Sequence, residues 1–331
     1  MWKNKWFRRF LKAGAALGVF LPLAGAFYQW SATRDFERQH PPPGELIDVG
    51  GHRLHLHRHG TGGPSVIIDA GLSAAGWEYE SLAQRMAAFT QVYTYDRAGY
   101  GWSDPGPRPR TSQQVVAELR TLLQKAQVKP PYILVGHSWG GLNVRLYASL
   151  YPDEVAGLVL MDALNMDLFP ATHRNGSLSP FYELLDRTAC LGTARLAVPF
   201  ILGGKTQNEN EAQRQRMKFA SISRTKTLHA IHDELAGQDN WLTVRAAMKH
   251  LGDKRVVVIS RRYEEGDSKE DKWWFRTQQA LTNISANCKF IVAQTKRHDL
   301  AGDRSAEAAV HEMVESFRSG RGVTPSFPVQ P

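Results

Sequence analysis

A short apolar run that leads straight into a glycine-flanked serine limits the folds open to this chain. Residues 132–135 predict a buried strand, Gly136-His137-Ser138-Trp139-Gly140 follows at once, and helical periodicity begins directly after it. So sharp a turn needs small residues two places before and two places after the serine, because a side chain there would collide with neighbouring backbone. The pattern predicts a strand–turn–helix unit that holds Ser138 at the carboxyl end of a strand, near the positive end of a helix.

Apolar runs and helix-like stretches alternate along much of the chain. Runs typical of strands covered on both faces occupy residues 65–68, 91–95, 132–135, 157–161, 255–260 and 289–293. Helical periodicity is found at residues 82–89, 111–127, 142–151 and 306–318. Before them, residues 45–49 and 52–58 predict two short strands joined by a tight turn. This order predicts an α/β fold with a doubly wound, mainly parallel sheet.

The same rhythm predicts the domain organisation. Residues 1–43 hold an apolar N-terminal segment and a Pro-rich linker, and residues 44–162 form the first part of the core. Residues 163–250 interrupt the alternation with mostly helical sequence, which predicts an inserted helical cap. Residues 251–331 complete the core and end in a short polar tail.

The N-terminal segment predicts a membrane anchor. Residues 10–30 are almost entirely apolar or small, a length that spans a bilayer, and basic residues crowd residues 1–12. Cationic residues stay on the cytoplasmic side, so everything after Ser31 is expected outside the cytoplasm. The aromatic residues Phe27, Tyr28 and Trp30 are typical of an interfacial belt and favour a retained anchor. The alternative is a secreted protein, cleaved near Ala26 at a small-x-small site.

Charge does not indicate a nucleic-acid partner. The net charge is +9, but outside the N-terminus the basic residues are mostly scattered among acidic ones, and no nucleic-acid-binding motif is present. We therefore expect a solvated basic surface.

Two polar groups are interpreted as structural. Three histidines, His55, His57 and His59, fall on one face of the second predicted strand. No carboxylate or cysteine accompanies them at ligand spacing, so no metal site is expected. A turn-stabilising ion pair is expected after the fourth strand from Asp96, Arg97 and Asp104.

The segments around these features resemble the exported or membrane-anchored branch of the α/β-hydrolase family, from residue 44 to about residue 317. The similar segments are Asp69-Ala70-Gly71-Leu72, Tyr95-Asp96-Arg97-Ala98-Gly99-Tyr100-Gly101-Trp102-Ser103, the serine motif, Leu142-Asn143-Val144-Arg145-Leu146-Tyr147 and Val155-Ala156-Gly157-Leu158-Val159-Leu160-Met161-Asp162. The resemblance implies a nucleophilic serine, an acid and a histidine in that chain order, an oxyanion hole, and a cap that shapes an acyl pocket.

Ser138 is then the candidate nucleophile and His298, which follows the last predicted strand, is the candidate base. The backbone N–H groups of Trp139 and Leu72 are the candidate oxyanion donors. Residues 295–297 depart from the small residues usual before this histidine. His137 is expected to support the site rather than act as the base, because its position next to the nucleophile points it away from Ser138.

The acid has two candidate positions. Asp162 follows the strand at 157–161, where a carboxylate could orient the histidine. The alternative is Glu264 or its neighbour Asp267, after the next strand, within a segment so rich in charge that solvated surface acids are expected. Asp162 is preferred.

The predicted activity is hydrolysis of a small carboxylic ester, or a related acyl substrate, through an acyl-enzyme, and it needs no cofactor and no metal. A serine nucleophile argues against haloalkane dehalogenase and epoxide hydrolase activity, which use a carboxylate. A serine aminopeptidase, an acyltransferase or a carbon–carbon bond hydrolase shares the same machinery. A non-catalytic binding protein that kept the fold is the alternative from another class.

Overall fold

A computed structural model of the protein describes residues 2–166, 179–204, 206, 208–237 and 241–319. Residues 320–331, at the end of the predicted second core segment with its polar tail, and residues 167–178, part of the predicted cap, lie outside the described residues. The strands are β1 (Glu45–Asp48), β2 (Arg53–His59), β3 (Ser65–Asp69), β4 (Val92–Tyr95), β5 (Tyr132–His137), β6 (Val155–Met161), β7 (Arg255–Ser260) and β8 (Cys288–Val292). The α-helices are α1 (Trp2–Gln39), α2 (Glu80–Met86), α3 (Ser112–Lys125), α4 (Trp139–Leu150), α5 (Ser179–Thr188), α6 (Thr193–Leu202), α7 (Glu209–Ile222), α8 (Thr225–Ala236), α9 (Trp241–Ala247), α10 (Lys269–Ala280) and α11 (Ser305–Arg318).

The strands form one eight-stranded sheet in the order β1-β2-β4-β3-β5-β6-β7-β8. The first two pairings, β1 with β2 and β2 with β4, are antiparallel, and the pairings from β4 to β8 are parallel. The predicted doubly wound, mainly parallel sheet is confirmed. Its central strands are mostly apolar because helices cover both faces.

Two hydrophobic layers enclose the sheet. One contains apolar side chains of α3 and α4 and packs against Trp274 of α10, and the other contains side chains of α2 and α11. Helix α3 begins where the sequence predicts, since the Thr111 hydroxyl accepts a hydrogen bond from the backbone N–H of Gln114 at 3.2 Å. Helix α10 was not predicted, because its charged residues obscured its apolar side. The layers leave the carboxyl ends of the parallel strands at one edge, where ligands bind in such sheets.

The chain divides into two compact units. One comprises residues 1–41 and 178–232, and the other comprises residues 42–177 and 233–331, including the sheet. The predicted domain boundaries stay a prediction.

In the first unit, the N-terminal helix packs against helices that follow β6. A Cβ atom on Gly25 would lie 2.5 Å from the carbonyl oxygen of Leu191, so α1 approaches that turn closely because the residue is glycine. Gln29 is buried, and its side-chain amide donates to the carbonyl oxygen of Ser223 at 2.9 Å and accepts from Arg195 Nε at 2.7 Å. The C-terminal half of α1 is therefore an integral part of this unit.

Candidate active site

The serine motif forms the predicted sharp turn between β5 and α4. Ser138 has φ 50° and ψ −115°, a conformation that is strained for a residue with a side chain and costs about 1–3 kcal/mol. Its N–H donates to the carbonyl oxygen of Met161 at 3.1 Å, and its carbonyl oxygen accepts from the N–H groups of Gly141 and Leu164 at 3.0 and 2.8 Å. These bonds hold the strained residue in place.

The flanking glycines meet the steric requirement expected from the sequence. A Cβ atom on Gly140 would lie 2.2 Å from the carbonyl oxygen of Asp69, and one on Gly136 would lie 2.7 Å from the carbonyl oxygen of Gly140. Neither contact can relax without moving backbone.

Asp162 and His298 come together at the carboxyl edge of the sheet. Asp162 directly follows β6, has a φ of 42°, and is fully buried. Its Oδ2 lies 2.6 Å from Nδ1 of His298. Its Oδ1 accepts from the indole N–H of Trp274 at 2.8 Å and from the backbone N–H of Arg261 at 3.3 Å. The carboxylate is thus oriented on both oxygens, as a group that fixes an imidazole requires.

Trp274 is a site residue that sequence reasoning missed. It lies on α10, donates to Asp162, and packs edge-on against the His298 ring with centroids 5.5 Å apart. The sequence held no signal for it, because 112 residues separate Trp274 from Asp162.

The alternative acids lie on an exposed turn. Glu264 Oε2 and Asp267 Oδ1 lie 2.7 and 2.8 Å from Lys296 Nζ. These bonds to Lys296 lower the pKa of both carboxyl groups. Two contacts link this turn to the loop before His298: Lys296 binds both acids, and the carbonyl oxygen of Thr295 accepts from the N–H of Arg262 at 2.8 Å.

His137 is buried between the loop that contains Gly71 and the loop that contains His298. Its Nε2 lies 2.8 Å from the carbonyl oxygen of His298, and its Nδ1 lies 2.6 Å from the hydroxyl of Tyr79. A carbonyl only accepts, so Nε2 carries the proton and Nδ1 accepts from Tyr79. The Tyr79 oxygen in turn accepts from the N–H of Gly71 at 3.4 Å. This hydrogen-bond chain connects Gly71, which precedes the candidate oxyanion donor Leu72, to the backbone of His298.

We expect the burial of His137 to make the protein sensitive to acid. Burial, with a further contribution from the neighbouring His298, lowers the pKa of His137 from 6.5 to about 4. Between these pH values the unfolded chain binds a proton that the folded chain does not. The free energy of unfolding therefore falls as the pH decreases through this window, by up to about 3 kcal/mol. In urea unfolding between pH 4 and 7, His137→Gln should flatten this decline.

The exposed residue His250 offers the matched control for that measurement, and His250→Gln should retain the wild-type pH dependence. Equal slopes for wild type and His137→Gln would contradict the assignment.

The loop after β3, which contains the candidate oxyanion donor Leu72, is held by a buried arginine. Arg97 Nη1 donates to Asp69 Oδ1 and to the carbonyl oxygen of Ala70 at 2.8 and 2.6 Å, and Nη2 donates to the carbonyl oxygen of Gly71 at 2.9 Å. Arg97 Nε donates to Glu234 Oε1 at 2.9 Å. The arginine fixes the backbone immediately before Leu72. A Cβ atom on Gly71 would lie 3.4 Å from the Cβ atom of Ser138, so this loop passes beside the serine.

The predicted ion pair among Asp96, Arg97 and Asp104 is wrong, because each of these side chains pairs with a residue outside that group. Arg97 pairs with distant acids, whereas Asp104 pairs with Arg53 at 2.8 Å. Asp96 lies 3.0 Å from His55 and accepts from the backbone N–H of Gly76 at 2.7 Å. Adjacent charges in sequence point to different parts of the fold because the chain turns sharply after β4.

A small, partly open cleft adjoins the start of α4. Its apolar lining includes Trp139, Leu142, Met166 and Val244, and Glu234 and Arg110 contribute polar groups. Trp139 is the first residue of α4, so its N–H is one of the helix donors that have no partner within the helix.

Comparisons with known proteins agree with this architecture. Residues 63–186 match the family model described as the α/β-hydrolase fold, a range that includes Ser138 and Asp162. The uncharacterised protein YqjL of Bacillus subtilis is 29% identical over 223 residues, which cover 61% of this chain and 83% of that protein. Lipase LipV of Mycobacterium tuberculosis is 34% identical over 110 residues, 33% of this chain and 41% of the lipase, so less than half of the lipase is matched.

A solved structure extends the similarity over most of the chain. The enol-lactonase from Burkholderia xenovorans LB400 has a TM-score of 0.61 and 15% sequence identity, and the match covers 81% of this chain and 99% of that protein. At this identity the similarity concerns the fold. Together with the family match over residues 63–186, it shows that the chain has the α/β-hydrolase fold.

Proposed function

We propose that the protein is a serine hydrolase that cleaves a carboxylic ester through an acyl-enzyme. The observation that carries the proposal is the 2.6 Å contact between Asp162 Oδ2 and His298 Nδ1, at the sheet edge where the β5–α4 turn presents Ser138. Within this fold, hydrolysis is the activity that the relatives support, and the serine with its acid–histidine pair is the chemistry that the residues support.

In the proposed mechanism, His298 is the base. Its Nδ1–H donates to Asp162, which leaves Nε2 to accept the hydroxyl proton of Ser138 as the serine oxygen bonds to the substrate carbonyl carbon. The carbonyl oxygen becomes an oxyanion that the N–H groups of Trp139 and Leu72 stabilise. His298 then gives its proton to the leaving alcohol as the ester bond breaks. Water repeats the sequence on the acyl-enzyme, releasing the acid and restoring Ser138.

A fluorophosphonate probe tests the nucleophile. We expect folded wild-type protein to gain one covalent adduct, which peptide mass spectrometry maps to Ser138, because the probe reacts only with an activated serine. Ser138→Ala and heat-denatured wild type are the controls and should stay unlabelled. Labelling of another serine with Ser138 unmodified, or no labelling of the folded protein, would refute the proposal.

We also propose that α1 anchors the protein in a membrane, with the catalytic domain outside the cytoplasm. Residues 6–39 of this helix have a mean hydropathy of 1.7 over their most apolar window, none of which is buried. The guanidinium of Arg34 lies over the Trp30 ring, 4.8 Å from its centroid, a pair suited to the headgroup region. The packing of Gly25 and Gln29 within the first unit favours a retained helix over cleavage near Ala26.

Fractionation of cells that express the full chain tests the anchor. We expect the protein to stay in membranes after an alkaline carbonate wash, with an intact mass that includes residues 1–26. A C-terminal alkaline phosphatase fusion should be active, since that enzyme folds only outside the cytoplasm. A soluble product that lacks residues 1–26 would support the secreted alternative instead.

A further inference from the structure

The structure brings a carboxylate to the histidine face of β2. His57 and His59 project from the same side of the strand, and Glu80 begins α2, which covers that side. Glu80 Oε2 lies 3.5 Å from His57 Nδ1 and 3.4 Å from His59 Nε2, and one ligand atom from each of the three residues lies within 4.8 Å of the others. The sequence did not reveal this carboxylate, because it is more than twenty residues beyond the strand.

The Nε2 atom of His59 faces Glu80 and makes no hydrogen bond to any described residue. The residue is 8% exposed, and this nitrogen is buried. Its nearest acceptor is Glu80 Oε2 at 3.4 Å, and a metal ion bound between the two atoms would satisfy both of them.

The carboxylate is oriented toward the histidines. The side-chain amide of Gln84, one helical turn along α2, donates to Glu80 Oε1 at 2.8 Å. This bond leaves Oε2 directed at both imidazoles, and such outer partners commonly orient carboxylates that bind metals.

We propose that His57, His59 and Glu80 bind a zinc ion, with water as the fourth ligand. Zinc binds histidine nitrogen at about 2.0–2.1 Å and carboxylate oxygen at about 2.0–2.2 Å in a tetrahedron, so its ligand atoms lie about 3.3–3.5 Å apart. The two distances to Glu80 Oε2 already match that spacing. Two imidazoles and one carboxylate also favour zinc over calcium or magnesium, which prefer oxygen ligands.

The site connects β2 to the start of α2. Ser138 and His298 are distant from it in sequence and follow other strands, β5 and β8. A metal that binds three groups of the folded chain stabilises the fold, because the unfolded chain cannot hold the ligands together. We infer a structural role for the ion.

Cobalt(II) substitution and zinc titration of the full chain in detergent test the site. We expect the metal-stripped wild type to bind one equivalent of Co²⁺ with the intense visible absorption of tetrahedral coordination, and to show a higher Tm with Zn²⁺ than with EDTA. Glu80→Gln and His57→Gln should each abolish the absorption and the Tm shift. Both positions are partly exposed, so the folded state should survive these changes.

His250→Gln and Asp162→Asn serve as matched controls, since the first removes an exposed histidine and the second alters the candidate active site. Both should retain the cobalt spectrum. No stoichiometric binding by wild type, or unchanged binding in Glu80→Gln and His57→Gln, would overturn the proposal.

A separate observation concerns the apolar surface of α6. Leu196 and Phe200 are one turn apart on one face of the helix and are 67% and 90% exposed. Ala194 and Val198 on the same helix are buried. An exposed apolar patch of this kind marks an interaction surface.

The packing of α1 identifies the partner. Twenty residues of helix span about 30 Å of bilayer, so a span that starts at Trp6 ends near Gly25. The turn before α6 meets α1 at that level, and Arg195 in the first turn of α6 donates to Thr33 Oγ1 at 2.9 Å. Helix α6 therefore begins at the headgroup depth of the membrane that α1 spans.

We infer that the exposed face of α6, formed by Leu196 and Phe200, inserts into the lipid bilayer at this interface. The inference rests on the proposed anchor. A short helix with an apolar outer face at headgroup depth is the geometry of an interfacial helix.

Photolabelling from within the bilayer tests this contact. The full chain is placed in phosphatidylcholine vesicles that carry a diazirine on the acyl chain, and adducts are mapped by mass spectrometry. We expect adducts in residues 193–202 and in α1, but none in the polar helix α7. The double variant Leu196→Ser, Phe200→Ser should lose the α6 adducts and keep those in α1. Adducts in α1 alone would overturn the inference and leave the anchor intact, whereas adducts in neither helix would refute both.

Discussion

Replacing Asp162 by asparagine is expected to lower kcat by about 10⁴-fold on a short-chain p-nitrophenyl ester, a loss typical when a triad acid becomes an amide. The carboxylate now accepts from His298 Nδ1 at 2.6 Å. An amide at this position can donate to Nδ1 instead, which fixes the proton on Nε2 and removes the base. KM should change far less than kcat, because Asp162 is buried behind the histidine.

Glu264→Gln and Asp267→Asn are the matched controls, since they are the alternative acids and pair with Lys296 on the surface. Both should keep activity within about twofold, as exposed ion pairs contribute little. Full activity in Asp162→Asn, or a large loss in Glu264→Gln, would reassign the acid.

Replacing Arg97 by methionine is expected to lower the free energy of unfolding by about 3–5 kcal/mol, the usual effect of removing one member of a buried charge network. The guanidinium lies between Asp69 and Glu234, and all three side chains are at most 2% exposed. Without it, two acidic groups stay buried without a cation. Burial already raises the pKa of Asp69, and the loss of Arg97 should raise it further.

Urea unfolding in detergent, followed by near-UV circular dichroism, measures the effect. Arg53→Met is the control, because it removes an ion pair with Asp104 in which the arginine is 53% exposed, and it should change stability by less than about 1 kcal/mol. Equal stability of the two variants would show that the buried network is not coupled to folding.

The fold was predictable because its determinants are local. Continuous apolar runs predict the central strands, and the glycines around Ser138 predict the turn between β5 and α4 without any knowledge of their neighbours. The carboxyl ends of parallel strands share one edge, so Asp162 and His298 could be proposed as partners although 136 residues separate them.

The supporting residues were not predictable in the same way. Four of them contact residues that are distant in sequence: Trp274, Tyr79, Glu234 and Glu80. In the sequence alone, each looks like an ordinary helix or turn residue. The choice between Asp162 and Glu264 was open for the same reason, since both follow a strand. What separates them in the structure is burial and the orientation of neighbouring donors.

The packing of the N-terminal helix has a consequence for producing the protein. Deleting residues 1–41 to obtain a soluble form would strip Arg195 of its bonds to Gln29 and Thr33, and would remove the Phe36 ring that lies 5.0 Å from the guanidinium of Arg224. A preparation that begins near Gly25 keeps these contacts while discarding most of the apolar span. Crystallisation and screening efforts should therefore cut the chain inside this helix rather than at the proline linker.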